Sequence, residues 1–243
     1  LLLPALLVGG CSTDAPPEEA TPTPDLATAH AAGVDRVDHI MVAVDSLERG
    51  IELLRAATGV TATFGGVHPG RGTQNALISL GSHTYLELLA PNPEDVRGAE
   101  TVEMYAGFRS LTPAGWAARA DDADAMSTVF ATRGLPVGGA TPGSRVTTAG
   151  DTLRWATIAP WPEEVDWSVL PFFIEWVAPT PHPASTTPAG CTLAGILVRA
   201  PTADTIRTLL RTADLMVDVE QAETSALRFA LDCPTGRVVI GEE

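Results

Sequence analysis

From Val37 onward, short apolar runs of strand length alternate with segments whose apolar positions recur at helical spacing. The run Asp38-His39-Ile40-Met41-Val42-Ala43-Val44 predicts a first strand. Asp45-Ser46 offers a helix N-cap, Leu47, Ile51 and Leu54 share a helical face, and Gly59 stops the helix. Strands are expected near 60–66, 74–80 and 84–90, with a Gly81-Ser82 turn between the last two. The order is βαβββ. A second such unit begins near Trp116-Ala117-Ala118-Arg119-Ala120, with a helix over 122–133 ending at Gly134 and strands near 144–149, 153–159 and 172–178. Residues 160–167 read as an inserted loop whose Trp161 and Trp167 serve either as a lid or as a hydrophobic plug. A third, shorter unit starts at Leu193: strand Gly195-Ile196-Leu197-Val198, a helix with Ile206, Leu209 and Leu210, and strands near 217–220, 226–232 and 237–241.

Within this pattern one segment recurs. Tyr85-Leu86-Glu87-Leu88-Leu89-Ala90-Pro91 returns as Phe173-Ile174-Glu175-Trp176-Val177-Ala178-Pro179. Each copy sets a carboxylate inside an apolar run, where burial is costly without a partner. Side chains alternate along a strand, so His39, Met41 and Ala43 share one face, and Tyr85 and Glu87 share another. Asn75 lies on a face with Leu77 and Ser79, and Glu175 with Phe173 and Val177. If the all-apolar faces pack on helices, the polar faces converge in a cup, with His39 the natural partner of Glu87. A salt bridge from Glu87 to Arg71 or Arg154 is the plainer alternative.

The loop His68-Pro69-Gly70-Arg71-Gly72-Thr73 combines glycines with an Arg suited to carboxylate or phosphate, or else forms a simple turn. His68, Arg71, Asn75 and Tyr85 are the candidate substrate contacts. His182, between Pro181 and Pro183, reads as an exposed loop residue. In the third unit Leu209-Leu210-Arg211 matches Leu53-Leu54-Arg55, which aligns His39 with Gly195 and leaves that unit a structural role.

Composition narrows the partners. The 243 residues carry a net charge of −15 and no basic stripe, which argues against nucleic acid. Leu1 to Gly10 is apolar, ends in small residues before Cys11, and reads as the h-region of a signal peptide that begins inside the given sequence. Leu7-Val8-Gly9-Gly10-Cys11 resembles a bacterial lipobox, so Cys11 is the expected lipid attachment point. Residues 12–35, rich in Pro, Thr, Ala and acids, then form a flexible linker. This predicts a bacterial cell-envelope protein, lipid-anchored to the outer face of the cytoplasmic membrane. With Cys11 lipidated, Cys191 and Cys233 remain as an even pair for an oxidising compartment, as a disulfide or as two buried thiols. No Gly-x-Ser-x-Gly elbow, phosphate-binding loop, Cys-x-x-Cys pair or dinucleotide fingerprint is present.

Asp38-His39-Ile40, the 68–76 loop and Tyr85-Leu86-Glu87-Leu88 together resemble the vicinal oxygen chelate superfamily, and more narrowly its glyoxalase-like branch. The resemblance spans about residues 37–179. It implies an α+β fold in which repeated βαβββ units form curved mixed sheets with helices outside, here over 36–180, with the shorter unit of 181–243 added. It also implies a divalent metal on His39, Glu87 and Glu175, with Glu175 and Glu87 as catalytic carboxylates; Gly115-Trp116 supplies no fourth ligand. The activity implied is that of a metal-dependent isomerase or lyase acting on a small oxygen-rich molecule. The alternative is a metal-free binding protein of the bleomycin-resistance type. A third is an interaction lipoprotein whose C-terminal unit supports a homodimer.

Overall fold

The computed structural model describes residues 34–147 and 150–241. Strand β1 (Val37–Ala43) leads into α1 (Leu47–Thr58), whose Ser46 N-cap accepts a hydrogen bond from the Arg49 backbone N–H. Gly59 ends this helix in the left-handed conformation at φ 76°, and its N–H caps Arg55 O. β2 (Thr63–His68), β3 (Thr73–Ser79) and β4 (Tyr85–Pro91) complete the first unit. A connecting helix that the sequence pattern did not reveal, α2 (Gly98–Tyr105), leads to the second unit. That unit comprises β5 (Thr112–Arg119), α3 (Ala123–Thr132), β6 (Thr141–Val146), β7 (Thr152–Ile158) and β8 (Pro171–Trp176).

These eight strands form one sheet in the order β2-β3-β4-β1-β5-β8-β7-β6. In each half the first strand pairs in parallel with the last, β1 with β4 and β5 with β8. The halves join through the antiparallel β1–β5 pair, where His39 is registered with Ala117. Curvature is strong enough that Arg145 of β6 donates from Nη1 to the backbone oxygen of Gly65 in β2, linking the two outermost strands. The result is a nearly barrel-like sheet with helices outside, the vicinal oxygen chelate fold.

The third unit holds β9 (Thr192–Ala200), α4 (Ala203–Thr212), β10 (Asp218–Gln221), β11 (Ala226–Cys233) and β12 (Gly236–Ile240). It keeps the βαβββ order of elements and changes their pairing: its sheet runs β10-β9-β11-β12. The first strand here pairs with the second in parallel and with the third antiparallel, so the likeness to the other units is one of element order only. Its apolar face shares a continuous core with the outer faces of the large sheet, one cluster that holds Ile40, Val42, Leu86, Leu88 and Trp116 together with Ile196, Val198, Phe229 and Leu231. Thr235 donates to Ala57 O at the end of α1. Cys191 and Cys233 are joined as a disulfide across the base of this sheet.

Candidate functional site

The concave face of the large sheet encloses a cavity of about 670 Å³, and every residue lining it falls between His39 and Trp176. Strand alternation places its floor. His39 and Met41 of β1, Thr73 and Asn75 of β3, and Tyr85, Glu87 and Leu89 of β4 all point inward. Their neighbours Ile40, Val42, Ala76, Ile78, Leu86 and Leu88 are buried in the core behind.

Glu87 is the centre of the polar floor. Its Oε2 lies 3.8 Å from His39 Nε2 and its Oε1 lies 3.4 Å from His68 Nε2. Asn75 Nδ2 donates to the same Oε1 at 2.5 Å. Burial alone would raise the pKa of this carboxyl. The hydrogen bond and charge of His68, the charge of His39 and the Asn75 amide outweigh it and hold the group at about 2. The alternative pairing of Glu87 with Arg71 or Arg154 is not found among the salt bridges of the described residues.

Both imidazoles are fixed from behind. His39 Nδ1 meets Asp38 Oδ1 at 2.8 Å, and the ring stacks on Tyr85 at 4.6 Å between centroids. His68 Nδ1 meets Thr73 Oγ1 at 2.8 Å. Each ring therefore turns Nε2 toward Glu87. Asp38 is fully buried and anchors a second group of donors: Trp176 Nε1 at 2.9 Å and His182 Nε2 at 3.1 Å, both on Oδ2. His182 Nδ1 accepts the Ala184 backbone N–H, which leaves Nε2 as the protonated nitrogen that donates to Asp38. Burial would raise the Asp38 pKa, but hydrogen bonds from His182 and His39, with their charges, bring it to about 2. Tyr85 goes the other way: burial and the negative charges of Asp38 and Glu87 push it well above 10, against a smaller opposing effect of Arg145.

The wall opposite the floor is largely apolar, with Arg145 of β6 as its charged member among the described residues. Phe172, Ile174 and Trp176 of β8 and Trp155 of β7 line it. This overturns the placement of Glu175. Phe173 packs on Phe130 of α3 at 5.1 Å between ring centroids, and Glu175 follows it to the outer side. There Glu175 Oε2 accepts the Ala123 backbone N–H at 2.9 Å, a favourable seat for a carboxylate at a helix N-terminus. The two similar segments are thus offset by one residue in facing, and a one-residue slip exchanges the two sides of a strand. Glu175 is accordingly neither a ligand nor a catalytic group of this cavity.

Four of the expected contacts, His68, Arg71, Asn75 and Tyr85, do line the cavity. His182 is a correction: it is partly buried and hydrogen-bonded to Asp38 rather than an exposed loop residue. Three residues came unforeseen. Asp38 precedes the key His and was visible as a motif member without a role, while Arg145 and Trp176 carried no sequence signal. Trp161 lines the cavity and is half-exposed, and Trp167 borders an adjoining apolar cleft. Cys11 and the linker before residue 34 lie outside the described residues.

Two imidazoles and a carboxylate are donor types that transition-metal ions take, so the chemistry of the floor fits a divalent ion. As they stand they form two pairs about Glu87, and among the described residues no group of three His, Cys, Asp or Glu is disposed as a ready-made metal centre.

A comparison with curated proteins finds no match. Among solved structures, a hypothetical protein from Staphylococcus aureus aligns with a TM-score of 0.57 at 18% identity, over 85% of this chain and 86% of that one. A variant of Streptomyces coelicolor methylmalonyl-CoA epimerase in complex with 2-nitronate-propionyl-CoA gives 0.43 at 22% identity, over 60% and 96%. Methylmalonyl-CoA epimerase from Mycobacterium tuberculosis gives 0.42 at 23%, over 62% and 95%. The first of these shows a shared fold and no more. The sequence pattern of the glyoxalase-like domain family matches residues 37–213, well over half the chain. The chain belongs to the glyoxalase-like domain family, within the vicinal oxygen chelate superfamily.

Proposed function

We propose that the cup binds a small oxygen-rich molecule against a divalent ion held by His39, His68 and Glu87, and that the reaction is of the isomerase or lyase class. The observation that carries this reading is the floor itself: a buried, fully ionised carboxylate faced by two imidazole Nε2 atoms whose Nδ1 atoms are already engaged. Such outer partners, here Asp38 and Thr73, orient ligating histidines. A bound ion would supply Lewis acidity toward adjacent oxygens of the ligand.

The chain's own groups divide the remaining work. Tyr85 keeps its phenolic proton and can donate it in a hydrogen bond to a ligand oxygen. Arg71, at the rim, can meet an anionic group. Phe172, Ile174, Trp155 and Trp176 exclude water from one side. Glu87 is the sole carboxylate among the described residues lining the cavity, and at a pKa near 2 it is a weak base suited to a cation rather than to proton abstraction.

That last point favours a second reading, metal-free sequestration of a small molecule by the same cup. Metal analysis separates the two. The full chain, purified without an affinity-tag metal and exposed to several divalent ions, is compared with His39→Ala, His68→Ala and Glu87→Ala. Stoichiometric metal lost in the variants supports the metalloenzyme. A metal-free wild type sinks it and leaves the binder.

Export and lipid attachment through Cys11 belong to the same proposal. The Cys191–Cys233 disulfide supports it, since such bonds persist in oxidising compartments. Recovery of the full chain in the membrane fraction, abolished by Cys11→Ala, is the expected result; equal solubility of both would remove the anchor.

A further inference from the structure

We infer that Arg145 forms an anion subsite on the far side of the cup from β1, so that the molecule bound there carries a carboxylate or phosphate group. This rests on the reading of the cup as a small-molecule site and names the chemical class of its ligand.

Arg145 lies on β6, at the outer edge of the second unit, yet its side chain is nine-tenths buried and lines the cavity. A buried guanidinium ordinarily has a carboxylate beside it, because desolvating a cation without one is costly. Arg145 has none: no salt bridge in the described residues includes it. Its hydrogen bonding there is a single donation from Nη1 to the Gly65 backbone oxygen. A guanidinium carries five N–H donors in a planar fork, so most of its capacity is unspent inside a cavity it helps to line. The Gly65 carbonyl fixes one arm, which preorganises the rest.

A purely structural role, clipping β2 to β6, would need only the Gly65 bond and could be met by any long donor. What such a role leaves unexplained is a buried positive charge facing a cavity whose single carboxylate among the described residues, Glu87, is already engaged by two histidines and an amide. An incoming anion supplies the missing countercharge. Arg71, on the 68–73 loop, lines the same cavity and is exposed, so it adds attraction at the rim without the geometric selectivity of the buried fork.

The test measures binding of paired probes to the full chain by the quenching of Trp155 and Trp176 fluorescence: lactate and malonate against lactamide and malonamide, with inorganic phosphate as a third. Wild type should bind the anions and discriminate against the amides. Arg145→Gln should weaken anion binding about ten- to hundredfold and leave amide binding unchanged. Arg145→Lys, which retains a cation and a donor for Gly65, should fall between. Circular dichroism and melting of each variant separate loss of the subsite from loss of the fold. Unchanged anion preference in folded Arg145→Gln overturns the subsite while leaving the cup as a binding site. Failure of every probe to bind wild type overturns both.

Discussion

Asp38 and His39, neighbours in sequence on one strand, are hydrogen-bonded through their side chains, Oδ1 to Nδ1 at 2.8 Å. Adjacent residues of a regular strand face opposite ways, and this pair meets because β1 is irregular: its register with β5 shifts between Val37 and His39. The contact sets which imidazole nitrogen carries the proton. Asp38→Asn should leave the cavity walls in place and loosen the orientation of His39. Metal or ligand affinity should fall about ten- to hundredfold, and nitrogen NMR of the histidine ring should show mixed tautomers. An unchanged tautomer would remove the positioning role of Asp38.

Acid should destabilise the protein through the same floor. Asp38 and Glu87 each have a folded pKa near 2, below the ordinary 3.8 and 4.5. A depressed carboxylate contributes stability that is present above its unfolded value and lost as pH falls through its folded one. The urea midpoint, measured in chelator, should therefore hold above about pH 5 and decline steeply toward pH 2. Glu87→Gln should flatten part of that decline, and an equal slope in the variant would contradict the assignment.

Gly65 makes room for the Asn75 amide. A Cβ there would lie 2.5 Å from Asn75 Oδ1 and 2.9 Å from Leu77 Cγ. Both side chains are buried, so neither has free space to yield into. Gly65→Ala should cost about 1–3 kcal/mol in stability and weaken ligand binding by displacing Asn75 from Glu87. Thermal melts and binding measured side by side check both effects.

Glu175 offers a control. Glu175→Gln should lower stability by roughly 0.3–1 kcal/mol through the α3 N-terminus and leave metal content and ligand binding unchanged. Loss of metal in this variant would restore Glu175 to the site.

Reduction of Cys191–Cys233, 42 residues apart in sequence, should lower stability by ~4 kcal/mol on the chain-entropy estimate. The cavity lies wholly in the first two units, so at temperatures where the reduced protein stays folded its ligand affinity should persist. Denaturant midpoints with and without reductant, together with binding, test this.

The fold was legible because both periods are strong. Ile40, Val42, Leu86 and Leu88 mark the core face of their strands, and Ser46 and Gly59 bracket α1. His39, Asn75, Tyr85 and Glu87 followed from the same alternation. In the second half polarity does not mark the inner face. There the inner face is itself apolar, through Phe172, Ile174 and Trp176, and the lone acid serves a helix. Arg145 and His182 reach the site by long-range closure, one across the barrel edge and one from beyond β8, and no local pattern encodes that. In the third unit the order of elements was readable and the pairing was not, because β9-α4-β10 admits either neighbour.

The seam between β1 and β5 divides the labour of the cavity. The polar floor of His39, His68, Asn75 and Glu87 belongs to the first half, while the second supplies shape through Phe172, Ile174 and Trp155, with Arg145 as its charged contribution among the described residues. Substitutions at Phe172, Ile174 or Trp155 should therefore alter which molecules fit and leave the Glu87 cluster in place. The two halves of one curved sheet thus hold separable tasks, polar chemistry on one side of the seam and shape on the other.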